Sequence, residues 1–479
     1  MVCETLCRVE IERLPLFGTN KWRLLHFLEP INVLFCYFWV MKRKIMKELR
    51  AWKEQKNRKP LLLMGARQVG KTFILKKFGQ EEYTNTIYLN FEDNPRLCKL
   101  FDASLDPEVI VKALTIEMDA PITAGKTLLI FDEVQECPNA LNSLKYFCEE
   151  APHQHIVAAG SLLGVKLAHT KGFPVGKVQF LTLYPLSFFE FLEAFQKERL
   201  IRFLEELRVV EPLAPNIHEL LLGHFKEYLF VGGMPEAVAE YIESQDLAKV
   251  RQLQEAILQA YSLDFAKHAP KEQIMKINQV WGAIPSQLAK ENKKFIYSVI
   301  REGARAKEFE GALQWLIEAG LIYKTECINT PKLPLSAYAN PNIFKVYLVD
   351  VGLLGAMSRL PAKAILHEHE LFEEFRGAIT ENYVAEELAR SQHSLYYWVS
   401  EGKAELDFII EYDAYIYPLE VKSGNSSKKK SLCVYGDKYE PKVLIRTSPM
   451  NLRKDGNVLN CPLYLLENLN YYIHQQGLA

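Results

Sequence analysis

The chain has 479 residues, which is too long for one ordinary domain and predicts about three domains of roughly 150 residues each. Hydrophobic residues make up 49% of the chain and charged residues 24%, a composition that excludes a disordered or fibrous protein. The 58 Lys and Arg residues nearly balance the 59 Asp and Glu residues, so the molecule as a whole carries no field that would attract nucleic acid. Any contact with nucleic acid therefore requires a local basic patch.

The nine cysteines have no regular spacing, so they indicate neither a disulfide framework nor a zinc site and favour a reducing cytoplasm. Residues 24–41 form an apolar stretch about as long as a membrane span, but His26, Glu29, Pro30 and Asn32 interrupt it. A basic sequence follows this stretch, and no small-residue cleavage site appears, unlike in a signal peptide. We therefore predict neither a membrane anchor nor a signal peptide.

Residues 41–59 contain nine basic and two acidic side chains. Within them Ile45, Leu49 and Trp52 are spaced as one face of a short amphipathic helix, most simply a helix on the protein surface. The chain then alternates between apolar strands and helices. Strands are predicted at 59–64, 86–91, 127–131, 155–159 and 178–183, and helices follow residue 71, cover 105–118 and 139–149, and begin at 187. This alternation predicts a parallel sheet with helices on both faces.

The second half of the chain has a different pattern. Residues 201–259 are helical in pattern, and helices at 296–302 and 306–319 followed by a strand at 320–324 are typical of a winged helix. Further on, predicted strands at 344–350, 395–400, 405–411 and 416–422 surround a predicted helix at 370–391. These elements predict a second α/β unit, separate from the first.

A phosphate-binding loop follows the first predicted strand. The sequence G-x-x-x-x-G-K-T is formed by Gly65, Ala66, Arg67, Gln68, Val69, Gly70, Lys71 and Thr72, and it opens a helix. The two glycines allow the backbone amides to face the phosphates, the lysine reaches the β- and γ-phosphate oxygens, and the threonine hydroxyl can bind Mg²⁺. The sequence therefore predicts a nucleotide site.

A second motif follows the third predicted strand, where Asp132 and Glu133 end an apolar run. Asp132 is predicted to hold Mg²⁺, and Glu133 is the candidate general base that would deprotonate the attacking water. The sequence N-K-x-D, which would recognise guanine, is not complete in this chain, because the Asn-Lys pair at Asn292 is not followed by the Asp. The sequence therefore favours adenine. After the fourth strand, the hydroxyl of Ser161 either senses the γ-phosphate or belongs to a plain turn.

Together these motifs resemble a large family of prokaryotic AAA-like P-loop ATPases, whose C-terminal half is a winged-helix and nuclease-like module. The resemblance spans residue 41 to the end, and five strings carry it: GARQVGKT at 65–72, FDEVQ at 131–135, GS at 160–161, LYPLSFFEF at 183–191 and GGMPE at 232–236. It implies ATP binding and hydrolysis by Lys71, Thr72, Asp132 and Glu133, with Ser161 at the sensor position.

One position departs from the family pattern. Family members usually have Gly-Arg before the LYPLSFFEF string, whereas this chain has Gly176 and Lys177. Lysine lacks the planar fork with which arginine contacts phosphate oxygens. If Lys177 reaches the nucleotide of a neighbouring subunit in an oligomer, we expect slow hydrolysis. Arg67 is the alternative cation, although a residue at its position in the loop more often faces solvent.

Carboxylates also occur near the C-terminus. Asp407 lies near the start of one predicted strand, and Glu420 and Lys422 share one face at the end of the next. The two acids could hold a divalent metal with Glu381 of the preceding helix, while Lys422 polarises a water. This spacing resembles the PD-(D/E)xK nuclease core, which also occurs as a DNA-binding or structural domain without cleavage.

Two basic groups are candidates for contact with DNA. The first group lies in the predicted winged helix and consists of Arg301, Arg305, Lys307 and Lys324. Because several glutamates share this segment, packing against a protein partner is an equal alternative. The run of lysines at 428–430 could bind a phosphate backbone or form a solvated loop.

These interpretations predict an ATPase domain at 41–200, a helical and winged-helix domain at 201–360 and a nuclease-like domain at 361–479. The leading hypothesis is a magnesium-dependent ATPase whose nucleotide state changes the position of the C-terminal module. The alternatives are a metal-dependent DNA endonuclease with a regulatory ATPase, or a nucleotide-gated binding protein with little turnover. Residues 1–40 match nothing in the family, so we expect the natural start to be Met41.

Overall fold

The structure is a computed structural model that describes residues 41–160, 163–167, 175–290, 293–366, 373–402, 404–424 and 430–478. The predicted N-terminal extension, the candidate sensor Ser161 and the candidate DNA contacts Lys428 and Lys429 lie outside these residues.

The first sheet contains five strands: β1 (Leu61–Met64), β2 (Asn85–Asn90), β3 (Thr127–Asp132), β4 (His155–Ala159) and β5 (Gln179–Thr182). Their order is β2-β3-β4-β1-β5, and every pair is parallel. Every residue of β3 and β4 is buried, as expected for strands covered on both faces. The predicted parallel sheet is therefore confirmed.

Seven helices accompany this sheet within the described residues. They are α1 (Ile45–Lys53), α2 (Lys71–Glu82), α3 (Cys98–Ala103), α4 (Pro107–Glu117), α5 (Pro138–Glu150), α6 (Leu163–Leu167) and α7 (Phe188–Ala194). Successive side chains of β1 alternate between two hydrophobic cores, because Leu61 and Leu63 belong to one core and Leu62 to the other. The predicted apolar face of α1 is buried, with Leu49 and Trp52 at most 1% exposed.

The middle of the chain is helical. It contains α8 (Glu198–Glu206), α9 (Pro215–Val231), α10 (Pro235–Ser244), α11 (Leu247–His268), α12 (Lys271–Leu288), α13 (Tyr297–Ile300) and α14 (Ala306–Glu318). Aromatic contacts join these helices, for example between Phe265 of α11, Trp281 of α12 and Trp315 of α14. The predicted helical region is confirmed.

In the part of the chain that the structure describes, a second sheet has eight strands in the order β12-β13-β11-β10-β9-β8-β6-β7. The strands are β6 (Ile322–Ile328), β7 (Ala339–Leu348), β8 (Tyr396–Val399), β9 (Glu405–Tyr412), β10 (Tyr415–Val421), β11 (Leu444–Ser448), β12 (Arg453–Asp455) and β13 (Val458–Pro462). The hairpin β6–β7 follows α14 as a wing would, but β6 also pairs in parallel with β8. This hairpin is therefore continuous with the C-terminal sheet, and the winged helix stays a prediction.

Among the described residues, five further helices accompany this sheet: α15 (Val351–Met357), α16 (Ala362–Leu366), α17 (Glu373–Arg390), α18 (Lys430–Tyr439) and α19 (Leu469–Leu478). The larger hydrophobic core is continuous from Met41 to Ile473, so α1 and the second sheet share one interior. No described helix combines the length and the apolar character that crossing a bilayer requires.

Candidate functional site

The phosphate loop lies between β1 and α2, at the carboxyl edge of the first sheet. Gly65 has φ 139° and Gly70 has φ 94°, values that favour glycine, and Gln68 between them also has a positive φ of 64°. A Cβ atom on Gly65 would lie 2.2 Å from the carbonyl oxygen of Leu183, so no larger residue fits there. The loop therefore curls around its own amides before α2, as predicted from the two glycines.

Lys71 is folded back onto this loop. Its Nζ donates to the carbonyl oxygens of Gly65 at 2.9 Å and Ala66 at 2.8 Å. Burial lowers the pKa of Lys71 to about 8, against the opposing attraction of Glu133 and Asp132. The ammonium is therefore held beside the loop interior, where phosphate oxygens could replace the two carbonyls.

Thr72 and Asp132, the two residues predicted to bind Mg²⁺, contact each other. The Thr72 hydroxyl donates to Asp132 Oδ2 at 2.6 Å, and the hydroxyl of Tyr88, on the neighbouring strand, donates to the same oxygen at 2.8 Å. Burial raises the pKa of Asp132, and the two hydroxyls partly oppose this. The hydroxyl of Thr72 at the start of α2 and the carboxylate of Asp132 at the end of β3 suit Mg²⁺, which prefers oxygen ligands.

Glu133 has left-handed backbone geometry, with φ 49°, directly after β3. Its Oε2 accepts a hydrogen bond from Nε2 of Gln135, and the backbone amide of Glu133 donates to Asp132 Oδ1 at 3.1 Å. A positive φ in a glutamate is uncommon and is found at functional sites. Sequence reasoning did not single out Gln135, although it lies within the FDEVQ string.

Arg67 does not face open solvent, contrary to the more usual expectation for its position. Its guanidinium forms an ion pair with Asp264 of α11 and lies 3.8 Å from Glu92. The hydroxyl of Tyr261, also on α11, donates to the backbone carbonyl of Arg67 at 2.9 Å. Two residues of one helix thus contact the phosphate loop, and Arg67 is engaged within its own chain.

Arg43 is a site residue that sequence reasoning missed. It is 8% exposed and lies under the loop, where it donates to the carbonyl oxygens of Val69 at 3.1 Å and Tyr184 at 2.6 Å. Its Nε also pairs with Glu190 at 3.3 Å. Glu190 in turn forms a capping box with Ser187 at the start of α7. The LYPLSFFEF string therefore supports the loop from below, and only the local density of basic residues signalled Arg43.

Lys177 and the phosphate loop lie at opposite edges of the first sheet. The lysine precedes β5, whose carboxyl end rather than its amino end neighbours the loop, and it pairs with Glu149 at 2.8 Å. A role toward a neighbouring subunit therefore stays a prediction.

The C-terminal half approaches the loop closely. A cavity of about 510 Å³ is lined by Gly65 and Ala66 of the loop, Gly160 after β4, and Gly320 and Tyr323 from the turn and strand after α14. A Cβ atom on Gly320 would lie 3.5 Å from the amide nitrogen of Ala66. The turn between α14 and β6 therefore packs directly on the phosphate loop.

The C-terminal carboxylates are surrounded by lysines. Glu381 of α17 pairs with Lys293 and accepts a hydrogen bond from the Tyr347 hydroxyl at 3.3 Å. Lys345, 1% exposed, pairs with Glu405 at 2.5 Å. Burial opposes ionisation of Glu381, but Lys293 and Lys345 hold the pKa of Glu381 below its usual range.

Asp407 and Glu420 also have partners inside the chain. Asp407 Oδ2 accepts from the amide of Val421 at 2.7 Å, and burial and the nearby Glu381 raise the pKa of Asp407 to about 7. Glu420 pairs with Lys422 at 2.9 Å, as their shared face predicted, while its other oxygen is buried without a hydrogen-bond partner among the described residues.

This C-terminal arrangement does not fit the predicted metal site. Lys293 and Lys345 already supply the positive charge that a divalent cation would bring to Glu381 and Asp407. Across the part of the chain that the structure describes, no three His, Cys, Asp or Glu side chains come together as a metal would require.

The candidate DNA contacts of the middle region are partly neutralised. Arg301 pairs with Glu308 at 2.6 Å, and Lys324 pairs with Glu326 at 2.8 Å. Arg305 and Lys307 are exposed at the start of α14. The remaining exposed side chains of that helix are those of Ala306, Glu310 and Gln314, so its outer face carries little net charge.

Family models match three parts of the chain. A model described as an AAA domain matches residues 57–192. Two models described as domains of unknown function, DUF8612 and DUF4143, match residues 222–364 and 376–465. No curated protein sequence matches this chain. The first match supports a P-loop ATPase domain that binds and hydrolyses ATP, and the other two assign no activity.

Similar solved structures include the Walker-type ATPase PABY2304 of Pyrococcus abyssi, 16% identical with a TM-score of 0.43, covering 67% of this chain and 96% of that one. The ORC1 protein of Aeropyrum pernix, solved in complex with DNA, is 13% identical with a TM-score of 0.30, covering 68% of this chain and 94% of that one. Because the identities and TM-scores are low, neither structure supports a specific activity or partner for this protein.

Proposed function

We propose that this protein is a magnesium-dependent ATPase whose nucleotide state is transmitted to its C-terminal half. The observation that carries the proposal is the 2.6 Å hydrogen bond between Thr72 and Asp132, which brings the two predicted magnesium ligands together beside Lys71. These side chains come from the start of α2 and the end of β3, the two places from which a P-loop ATPase binds its metal.

Each residue of the site has a defined task in this proposal. Lys71 exchanges its hydrogen bonds with Gly65 and Ala66 for bonds to the β- and γ-phosphate oxygens. Mg²⁺ held by Thr72 and Asp132 would supply neutralisation of the charge on those oxygens. Glu133 accepts the proton of the attacking water, while the Tyr88 hydroxyl keeps the Asp132 carboxylate oriented.

Transmission to the C-terminal half rests on the contacts of Arg67. Tyr261 binds the backbone of the loop at Arg67, and Asp264 binds its side chain, so a change in the loop alters two contacts on α11. The turn containing Gly320 packs on the adjacent residue, Ala66. A loop that tightens around phosphates would therefore displace both α11 and the turn before β6.

The endonuclease alternative has less support. Glu381 pairs with Lys293, and Asp407 accepts a hydrogen bond from the amide of Val421, so two of the residues proposed to hold a nuclease metal already have other partners. DNA contact through Arg305 and Lys307 stays a prediction that no other feature of α14 favours.

The hydrolysis proposal can be tested with Glu133→Gln. This change keeps the size of the side chain but removes the base, so we expect magnesium-dependent ATP turnover to fall about 10²- to 10⁴-fold while ATP binding persists. Turnover would be measured by phosphate release and binding by fluorescence of a labelled ATP. Glu136→Gln, an exposed neighbour, is the matched control. Equal turnover by Glu133→Gln and the wild type would contradict the proposal, as would absence of turnover by the wild type.

A further inference from the structure

Gln135 lies in a single turn of 3-10 helix, Val134–Glu136, directly after Glu133. Its side chain is buried, since only 9% of the residue is exposed. Its Nε2 donates to Glu133 Oε2, whereas its Oε1 is buried without a hydrogen-bond partner among the described residues. An unused buried acceptor is costly to folding, so a site that keeps one invites a functional explanation.

The orientation of this amide follows from chemistry. An ionised carboxylate only accepts hydrogen bonds, so the NH₂ end of Gln135 must face Glu133 and the oxygen must face away. That oxygen lies against the end of β4, because a Cβ atom on Gly160 would come within 2.0 Å of it. Glycine at 160 is thus required by the amide of Gln135.

The sheet order gives the direction in which the unused oxygen lies. Strand β4 is placed between β3, which ends at Asp132, and β1, which leads into the phosphate loop. Gln135 extends from Glu133 at the end of β3 to Gly160 at the end of β4. Its Oε1 is therefore displaced from Glu133 toward the side of the sheet on which the phosphate loop lies.

We propose that Gln135 is a catalytic residue whose Oε1, buried in this structure, becomes accessible when nucleotide binds and then accepts a hydrogen bond from the attacking water. The inference rests on the proposed ATPase function. The water donates one hydrogen to Glu133 and the other to Gln135, which directs a lone pair toward the γ-phosphorus. A water oxygen–phosphorus bond then forms, the bond from phosphorus to the bridging oxygen of ADP breaks, and Glu133 takes the proton.

A purely structural role for Gln135 would have different consequences. If the side chain only separated the ends of β3 and β4, its loss would disturb the neighbouring loop and weaken nucleotide binding together with turnover. It would also act independently of Glu133. A water-orienting role predicts loss of turnover alone, and a loss that depends on Glu133.

The test uses Gln135→Met in the full chain, which keeps the length of the side chain and removes the amide. We expect turnover to fall about a hundredfold, with unchanged affinity for a non-hydrolysable ATP analogue. The double variant with Glu133→Gln should turn over no more slowly than Glu133→Gln alone, since both residues act on one water. Gln154→Met is the matched control, because Gln154 also has a buried, unpartnered oxygen but precedes β4 at the opposite edge of the sheet.

Three results would overturn the inference: wild-type turnover by Gln135→Met, a parallel loss of analogue affinity, or losses that multiply in the double variant. If Gln135→Met does not fold by thermal melting, Gln135→Asn, which keeps the amide but withdraws the oxygen, replaces it with the same expectations. If Glu133→Gln impairs turnover but neither Gln135 variant does, only this inference fails. If the wild type turns over no ATP, the proposed function fails as well.

Discussion

Two acidic sites in this protein look alike in sequence and differ in structure. Asp132 and Glu133 end a strand of the first sheet, while Asp407 and Glu420 lie on adjacent strands of the second. Burial raises the pKa of both Asp132 and Asp407. Asp132 accepts hydrogen bonds from the neutral hydroxyls of Thr72 and Tyr88, whereas lysines of the chain itself surround the C-terminal carboxylates.

The difference shows what decides the chemistry of a buried carboxylate. Hydroxyl partners orient Asp132 but leave its charge to be balanced by something that binds, and so they suit a metal carried by a nucleotide. Lys293 pairs with Glu381 and Lys345 with Glu405, and both lysines also lie near Asp407, so this cluster suits a site that holds segments together. The E-x-K spacing alone does not distinguish these outcomes.

Removing Lys345 should have the largest effect. The result distinguishes a cluster that stabilises the fold from a site that binds a metal. Lys345→Ala leaves Glu405, whose side chain is 34% exposed, without its ion-pair partner and removes positive charge from beside the buried carboxylates of Asp407 and Glu381. We expect the free energy of unfolding to fall by about 3–5 kcal/mol. Urea denaturation followed by circular dichroism would measure it.

The control for this change is Lys324→Ala on the adjacent strand. Lys324 also pairs with a glutamate, but its side chain is 24% exposed, so we expect a loss of about 1 kcal/mol or less. Similar stabilities for the two variants would contradict the structural role of Lys345. So would a wild-type melting temperature that rises with Mn²⁺ and no longer does so in Asp407→Asn, since that result would reveal a metal site.

Lys71 provides the corresponding test at the first site, where charge is expected to change upon binding. Because burial lowers its pKa to about 8, the free protein loses this charge above that pH, whereas phosphate oxygens favour the charged form. Binding should then take up a proton, and ATP affinity should fall by up to about tenfold per pH unit above pH 8. The stability of the free protein changes in the opposite direction. Its free energy of unfolding should rise between about pH 8 and pH 10.5, because the cost of burying the ammonium disappears over that range.

The proton uptake can be measured by calorimetry in buffers of different ionisation enthalpy. Lys71→Arg is the control, because a guanidinium stays charged throughout this range and should bind ATP more weakly but without the steep dependence on pH. An affinity of the wild type that is equal at pH 7 and pH 9 would show that Lys71 does not change protonation on binding.

The strands of the first sheet and their parallel arrangement could be predicted from sequence, because apolar strands alternate with helices around a glycine-rich loop, but their order was not predicted. The strand predicted at 155–159 coincides with β4. The second sheet was less predictable. Strands β11, β12 and β13 were not predicted, and the parallel pairing of β6 with β8 joins segments some seventy residues apart, for which local sequence carries no signal.

The candidate site shows the same limit. Lys71, Thr72, Asp132 and Glu133 follow from motifs whose spacing is imposed by phosphate and metal geometry. The partners that decide their behaviour come from elsewhere in the chain: Arg43 from before α1, Tyr261 and Asp264 from α11, and Lys293 and Lys345 at the C-terminal cluster. A single sequence does not reveal such contacts, because they depend on packing between distant segments.

The contact between the phosphate loop and α11 is where nucleotide binding in one half of the molecule can alter the other half. Disrupting this contact should have the smallest effect on ATP affinity. Asp264→Asn removes the ion pair of Arg67, whose side chain is 27% exposed, so we expect ATP affinity to change by about fivefold or less.

The sharper measurement is hydrogen exchange of the α11 amides. In the wild type ATP should alter their protection, because Tyr261 and Asp264 both respond to the loop, and in Asp264→Asn this response should shrink. Glu255→Gln, an exposed change on the same helix, should leave it intact. If ATP does not change hydrogen exchange in α11 of the wild type, the phosphate loop contacts this helix without transmitting the nucleotide state to it.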